Sequence, residues 1–313
     1  MATLLSVDDI DFAAYMRDTD CKAKIRAASE FSEDLIAELQ PTTNASRAPG
    51  MFSSRLGCRL GFRPGELTIW AGYNGHRKST FSGQVAAELC KQGQRVLLAS
   101  FEMLPRQTLA RMARQVLATP EPSRAAVEQF GRWSDGRLWI FDHLGRVNPR
   151  HMLAVCRYFA EECKGQHVFV DSLMMVCASE ESLDEQKQFM TDLVRLAQET
   201  ELHVHLVAHC RKPTSGDESK PPSKYDIRGT AAISDQAHNV VTIWFDRARA
   251  AALERDPSDS EALAKPSALV TVEKQRNGSY EGRLRYWQDE TSLRFIDDRT
   301  TRAERWSLDS VCT

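Results

Sequence analysis

From Gly65 to Thr80 the chain reads GELTIWAGYNGHRKST: an apolar run of strand length, a polar loop beginning at Gly72, and then a stretch with helical periodicity. A helix entered this way presents its first backbone N–H groups, which lack intrahelical partners, and the positive end of its dipole to one spot in front of the loop. That arrangement is an anion cradle, and a glycine six residues before a Lys-Ser pair is the spacing of a Walker A phosphate loop. The expected nucleotide-binding set is Gly72, Asn74, Gly75, His76, Arg77, Lys78, Ser79 and Thr80. Backbone N–H groups would surround the phosphates of ATP or another nucleoside triphosphate, Lys78 would reach their β and γ oxygens, and the Ser79 hydroxyl would ligate Mg²⁺. GxxxxxKS by itself matches by chance; its position between a strand and a helix makes it specific.

One residue breaks the pattern. Arg77 stands where a phosphate loop usually has glycine, and a side chain there resists the left-handed backbone that glycine adopts freely, at a cost of about 1–2 kcal/mol. Two outcomes stay open at this point: weakened nucleotide affinity and turnover, or an arginine that points outward or adds a phosphate contact and leaves turnover intact.

Beyond Gly61 short apolar runs alternate with amphipathic stretches, as in a mainly parallel α/β sheet flanked by helices. Strands are predicted over 67–71, 95–101, 138–141, 168–170, 204–208 and 240–245, and helices over 79–91, 106–117, 149–163 and 183–200. A charged insert over 246–265 precedes three strand-like runs, 268–274, 282–287 and 293–296, expected as antiparallel edge strands. Residues 1–40 read as one or two polar helices with short apolar stripes at Phe12, Tyr15 and Met16 and at Phe31, Leu35, Ile36 and Leu39, followed by the breaker-rich PTTNASRAPG. The expected organisation is a helical extension and linker over 1–49, an oligomerisation arm among its readings, a single nucleotide-binding domain over 50–298, and a tail over 299–313.

Three polar residues close apolar runs where open α/β sheets bind ligands, at strand C-termini. Glu102 follows LLASF and suits a general base, although an acid ahead of Pro105 also suits a helix start. Asp171 ends HVFVD, in the place of a Walker B carboxylate that holds Mg²⁺. His209 ends LHVHLVAH, where a polar tip can sense a γ-phosphate or serve structure alone.

Over residues 50–298 the chain resembles the motor domain of hexameric replicative helicases of the DnaB superfamily, especially phage primase-helicases and mitochondrial Twinkle. GFRPGELTIWAGYNG, ASFEM, VFVDSL, AHCRKP, DIRGTAAISDQAHNVV and EKQRNGSYEG carry the resemblance, in that order. It implies a RecA-like P-loop core, with Glu102 as catalytic base, Asp171 as Walker B acid and His209 as the switch that reports γ-phosphate to a DNA loop. It implies further that Lys274 and Arg276 enter a neighbouring subunit's site, Arg276 as an arginine finger; a solvated basic hairpin is the plainer alternative. The polar segment after His209 resembles the channel loop of these motors, which makes Arg211, Lys212, Lys220, Lys224 and Arg228 the expected DNA contacts. Phosphate neutralisation by such residues gives sequence-independent, salt-sensitive binding. The implied partners are single-stranded DNA and further copies of the chain, as a hexamer, with a primase and a DNA polymerase as candidates.

Composition narrows the rest. A formal net charge of −2 confines any DNA contact to a local patch. No apolar run approaches the roughly 20 residues of a membrane span, and MATLLSVDDIDF lacks the basic start of a secretory signal, so a cytoplasmic protein is expected. The eight cysteines, 21, 58, 90, 156, 163, 177, 210 and 312, form no CxxC pair and read mostly as buried thiols. The roughly fifty residues before the core carry no zinc-ligand spacing, so no primase module is expected there. Arg77 keeps a second function class in play, a non-motor or hydrolysis-impaired nucleotide- and DNA-binding protein such as a loader, recombination accessory or regulatory subunit. The lysines after His209 argue against a third, a signalling ATPase without a DNA partner.

Overall fold

The computed structural model describes residues 3–5, 11–15, 28–32, 36, 48–52, 60–177, 182–213 and 216–308. In chain order its main elements are β1 (Thr3–Leu5), α1 (Phe12–Tyr15), β2 (Leu67–Gly72), α2 (Lys78–Lys91), β3 (Val96–Ser100), α3 (Pro105–Leu117), α4 (Arg124–Ser134), β4 (Leu138–Phe141), α5 (Pro149–Glu161), β5 (His167–Asp171), α6 (Leu173–Val176), α7 (Leu183–Thr200), β6 (His203–His209), α8 (Ala232–Gln236), β7 (Asn239–Phe245), α9 (Arg247–Arg255), α10 (Ser260–Ala264), β8 (Ala268–Gln275), β9 (Gly282–Gln288) and β10 (Phe295–Ile296). The strands form one sheet in the order β1-β4-β3-β5-β6-β2-β7-β8-β9-β10. Pairing is parallel from β1 through β7 and antiparallel from β7 to β10.

Strands β2 to β7 read as near-continuous buried runs because both faces are covered, whereas β8 and β9 alternate buried with more exposed residues. Leu67, Ile69 and Ala71 of β2 face a core closed by Met152, Val155 and Phe159 of α5 and by Phe189, Leu193 and Leu196 of α7. Trp70 faces the other core, with Phe81 and Val85 of α2, Met112 and Val116 of α3, and Phe130 and Trp133 of α4. Central β2 is buried along its whole length, so its C-terminal end delivers the loop after Gly72 to a fixed place at the sheet rim.

Some expectations need correction. Thr3–Leu5 is a strand rather than part of a helix, adding a parallel edge to β4, and Ala28–Phe31 is a 3₁₀ turn. Of the apolar stripe residues there, Ile36 is exposed; Met16, Leu35 and Leu39 lie outside the described residues, as do Cys21, Cys58 and Cys312. Helix α4 was not expected: it carries Gly131 and buries only four of its residues, but Ser123 caps it by accepting from Ala126 N–H at 3.3 Å. The charged insert folds into α9 and α10, each capped by an aspartate, Asp246 and Asp259. After residue 298 the chain stays attached, since Trp306 donates its backbone N–H to the Val116 carbonyl and its ring packs on Trp133. Cys90, Cys156, Cys177 and Cys210 are buried free thiols and Cys163 is half-buried.

Candidate functional site

The loop between β2 and α2 holds its shape through its backbone. A Cβ on Gly72 would collide with the Ile243 carbonyl of β7, and Gly75 has φ 75°, with the Arg247 guanidinium where its side chain would be. Arg77, the residue before the helix, has φ 58° and ψ 26°, the left-handed conformation that glycine normally supplies. Its side chain leaves the loop for the sheet edge: the guanidinium lies 4.3 Å from the Phe245 ring centroid, hydrogen-bonds Gln288 Oε1 and comes within 3.6 Å of Glu290. The side chain therefore points outward, one of the geometries the sequence left open, and the loop keeps its turn into α2.

Lys78 is buried, and its Nζ donates to the carbonyls of Gly72 (3.1 Å) and Tyr73 (2.8 Å) and to Nδ1 of His209 (3.1 Å). Burial pushes the Lys78 pKa down, opposed by the charges of Asp171 and Glu102. His209 ends β6 in register with Gly72. Burial, then Lys78 and Arg228, hold its imidazole down to about 4, so at physiological pH it is neutral and accepts a hydrogen bond from the lysine.

Asp171 ends β5 beside Ser100 of β3. Burial raises its pKa, against a hydrogen bond from Ser79 and the charges of Lys78 and Arg111; Glu102, exposed just past β3, adds to the rise. A small cavity of about 30 Å³ opens between Ser79, Thr108, Arg111 and Asp171. A hydroxyl and one carboxylate at hydrogen-bond distance, beside a phosphate-sized loop, suit Mg²⁺, which takes few protein oxygens and completes its shell with water and phosphate. Arg111 was not singled out from the sequence, where it is one of three arginines on α3; only the fold aims it at Asp171.

Ser79, Lys78, Asp171, Glu102 and His209 therefore converge at one end of the sheet. The imidazole of His76, expected among the nucleotide-binding residues, is buried between β7 and the segment after β6. Its Nδ1 accepts from Phe245 N–H (3.1 Å) and its Nε2 meets Glu218 Oε2 (3.1 Å). Lys274 and Arg276 lie at the opposite end of the sheet. Lys274 pairs with Val240 at the start of β7, roughly 17 Å of strand from Phe245. Both side chains donate to carbonyls at the end of α8, Lys274 to Ser234 and Asp235 (2.9 Å each) and Arg276 to Asp235 (3.1 Å). They are remote from their own chain's phosphate loop.

The segment after β6 is closed at its base by a bridge between Cys210 and Ile227. Arg211, Lys212 and Lys220 are exposed on it, whereas Arg228 is half-buried near His209 and Lys224 reaches toward the Glu273 carbonyl (3.4 Å). Tyr225, overlooked in the sequence, is 82% exposed, with the Lys224 ammonium 5.5 Å from its ring. Its signal was available: an aromatic inside a basic, breaker-rich loop has no core to join.

A mainly parallel sheet wrapped by helices, with a phosphate loop leaving its buried central strand and an antiparallel edge, defines a RecA-like P-loop core. Residues 57–296 match the model of the DnaB-like helicase C-terminal domain, and the chain belongs to that family. It is 24% identical over 234 residues to the replicative DNA helicase DnaB of Geobacillus stearothermophilus and, equally, to the replicative DNA helicase DnaC of Bacillus subtilis (strain 168). Each match covers 70% of this chain and 49% of the relative, so the chain spans about half the length of those proteins. Among solved structures, an ATPase domain superposes with a TM-score of 0.69 at 16% identity, covering 85% of this chain and 98% of that domain. A DnaB-like replicative helicase, described with its interactions with primase, gives 0.68 at 16%, covering 87% and 67%. No helix among the described residues is long and apolar enough to cross a membrane.

Proposed function

We propose that this chain is the motor of a ring-shaped replicative DNA helicase, which hydrolyses ATP between subunits and translocates on single-stranded DNA. The observation that carries this reading is the bond from Lys78 to His209. It joins the expected phosphate-binding lysine to the residue from which the basic segment starts.

In this reading Lys78 exchanges its three acceptors for phosphate oxygens. The neutral His209 then loses its donor, and the altered contact passes into Arg211 and Lys212, two and three residues on. Glu102 takes a proton from the water that attacks the γ-phosphorus, while the bond to the β–γ bridging oxygen breaks and ADP leaves. Ser79 and Asp171 would hold Mg²⁺, which when bound neutralises charge on the phosphate oxygens. Lys274 and Arg276, too far away to serve their own chain, act on the nucleotide of an adjacent copy, so turnover depends on a closed homo-oligomer, a hexamer by family pattern. Arg211, Lys212, Lys220, Lys224 and Arg228 contact the strand's phosphates. The same reading places the protein in the cytoplasm, with a primase and a DNA polymerase as partners at a replication fork.

The test is phosphate release from ATP with and without oligo-dT, for this chain and for Arg77→Gly. Hydrolysis by the parent chain, stimulated several-fold by DNA, is expected, because Arg77 is turned away from the loop. Activity confined to the glycine variant would instead select the loader or regulatory reading.

A further inference from the structure

The phosphate loop touches the basic segment a second time, nine residues beyond His209. Glu218 Oε2 lies 3.1 Å from His76 Nε2 and 3.4 Å from Arg247 Nη1. Arg247 in turn donates through Nη2 to the Asn74 carbonyl of the phosphate loop at 2.6 Å, and the Glu218 carbonyl accepts from Trp244 Nε1 at 2.8 Å. The His76 tautomer follows from its partners: Nδ1 accepts the Phe245 N–H, so the ring proton sits on Nε2 and is donated to the carboxylate. His76 is 1% exposed and the Glu218 side chain 18%, so the contact is sheltered from water. One carboxylate thus holds two residues of separate elements, one in the phosphate loop and one that grips that loop's backbone, while its own peptide is fastened to the end of β7.

We propose that Glu218 is a positioning residue that links occupancy of the phosphate loop to the placement of the 211–228 segment, and so to its affinity for single-stranded nucleic acid. This rests on the functional reading above. The physical basis is a shared group. Phosphates entering the loop draw its N–H groups toward them and bring negative charge close to the His76–Glu218–Arg247 junction. The carboxylate, neutralised there by Arg247, must then redistribute its contacts and move the segment it belongs to. Linkage requires the effect to be mutual: nucleotide changes strand affinity by the same factor by which strand changes nucleotide affinity.

The experiment measures fluorescent-ADP and labelled oligo-dT binding to the full chain, each with and without the other ligand, for the parent, Glu218→Ala and Glu218→Gln. In the parent a linkage factor of about 5-fold or more is expected, equal in both directions. With Glu218→Ala it falls below about 2-fold. Affinity for fluorescent ADP without DNA stays within about 3-fold of the parent, since the loop keeps Lys78 and its backbone N–H groups. Glu218→Gln retains a hydrogen-bond acceptor for His76 but not the ion pair with Arg247, so its linkage is intermediate; it carries the test if the alanine variant does not fold. Linkage undiminished in the folded variants overturns the proposal, as does a parent that binds both ligands independently. A parent that binds no fluorescent ADP or no oligo-dT overturns the functional reading first, and this inference with it.

Discussion

The two ends of the sheet use the same residue types to opposite purposes. At the C-terminal end, His209 meets a lysine, Asp171 sits beside a cavity and Glu102 faces solvent. At the N-terminal end polar groups bond chiefly one another, although Asn239 Oδ1 and Arg63 Nη1 are buried without a hydrogen-bond partner. His203 bonds Thr68 (2.9 Å) and the Arg63 carbonyl (2.6 Å), His205 accepts from Trp70 (3.2 Å), and His167 and His205 are 3.3 Å apart. Glu66 there accepts from Asn239 (3.1 Å) and Asn277 (2.7 Å), which fastens the turn after β8 to the sheet. Buried polar groups satisfied by protein stabilise the fold, whereas titratable groups gathered beside a cavity mark a candidate ligand site.

The largest effect that separates the ends is expected from Lys78→Ala. If Lys78 binds the phosphates as proposed, hydrolysis falls by at least about 100-fold, the scale for a residue that stabilises charge on a reacting group. The thermal midpoint changes little, because the lysine's present partners are two carbonyls and a neutral imidazole at the rim. A large fall in the midpoint with turnover preserved would reverse the assignment of that end.

The second effect belongs mainly to the N-terminal end and is read as stability against pH. Burial lowers the pKa of His203 to about 3 and those of His167 and His205 well below the ordinary value. An imidazole that is neutral when folded but titrates near 6.5 when unfolded contributes its full stability above pH 6.5. The contribution is lost as pH falls from there toward the folded-state pKa. For His203 this costs about 2 kcal/mol between pH 7 and pH 5, and His167 and His205 act in the same direction. His209, held to about 4, adds one share from the other end. The midpoint of His209→Gln should therefore keep most of the parent's acid sensitivity; a variant insensitive to pH 5 would move the effect to the wrong end.

These ends were unequally legible in the sequence. The end that holds the candidate site was readable because each of its groups stands at a local boundary, where an apolar run stops and a polar residue follows, as at Asp171 and His209. The satisfied end was not, since its bonds join residues such as Glu66 and Asn277, 211 positions apart. The same distance explains the other omissions. Nothing near His76 points to Glu218, 142 residues on, and Arg111 differs from its helix neighbours only in what the fold puts in front of it. Strand β1, three residues long, is too short to show alternation, whereas α4 does carry a helical stripe, Ala126, Phe130 and Trp133, passed over because Gly131 interrupts it.

Arg77 sharpens the comparison most finely, because it is strained by local rules and compensated by distant contacts. Its left-handed backbone costs about 1–2 kcal/mol relative to glycine. Stacking on Phe245 returns about 0.5–1 kcal/mol, and the hydrogen bond to Gln288 a similar amount. The ion pair with Glu290, whose side chain is 58% exposed, adds little. The terms nearly cancel, so the midpoint of Arg77→Gly should lie within a few degrees of the parent, equivalent to a net change of less than about 1 kcal/mol. A rise well beyond that would mean that the loop carries uncompensated strain, and a comparable fall would make Arg77 a structural strut between the phosphate loop and the antiparallel edge. Near-equality leaves the arginine as a substitution the fold absorbs because Phe245, Gln288 and Glu290 stand where its side chain can leave the phosphate loop.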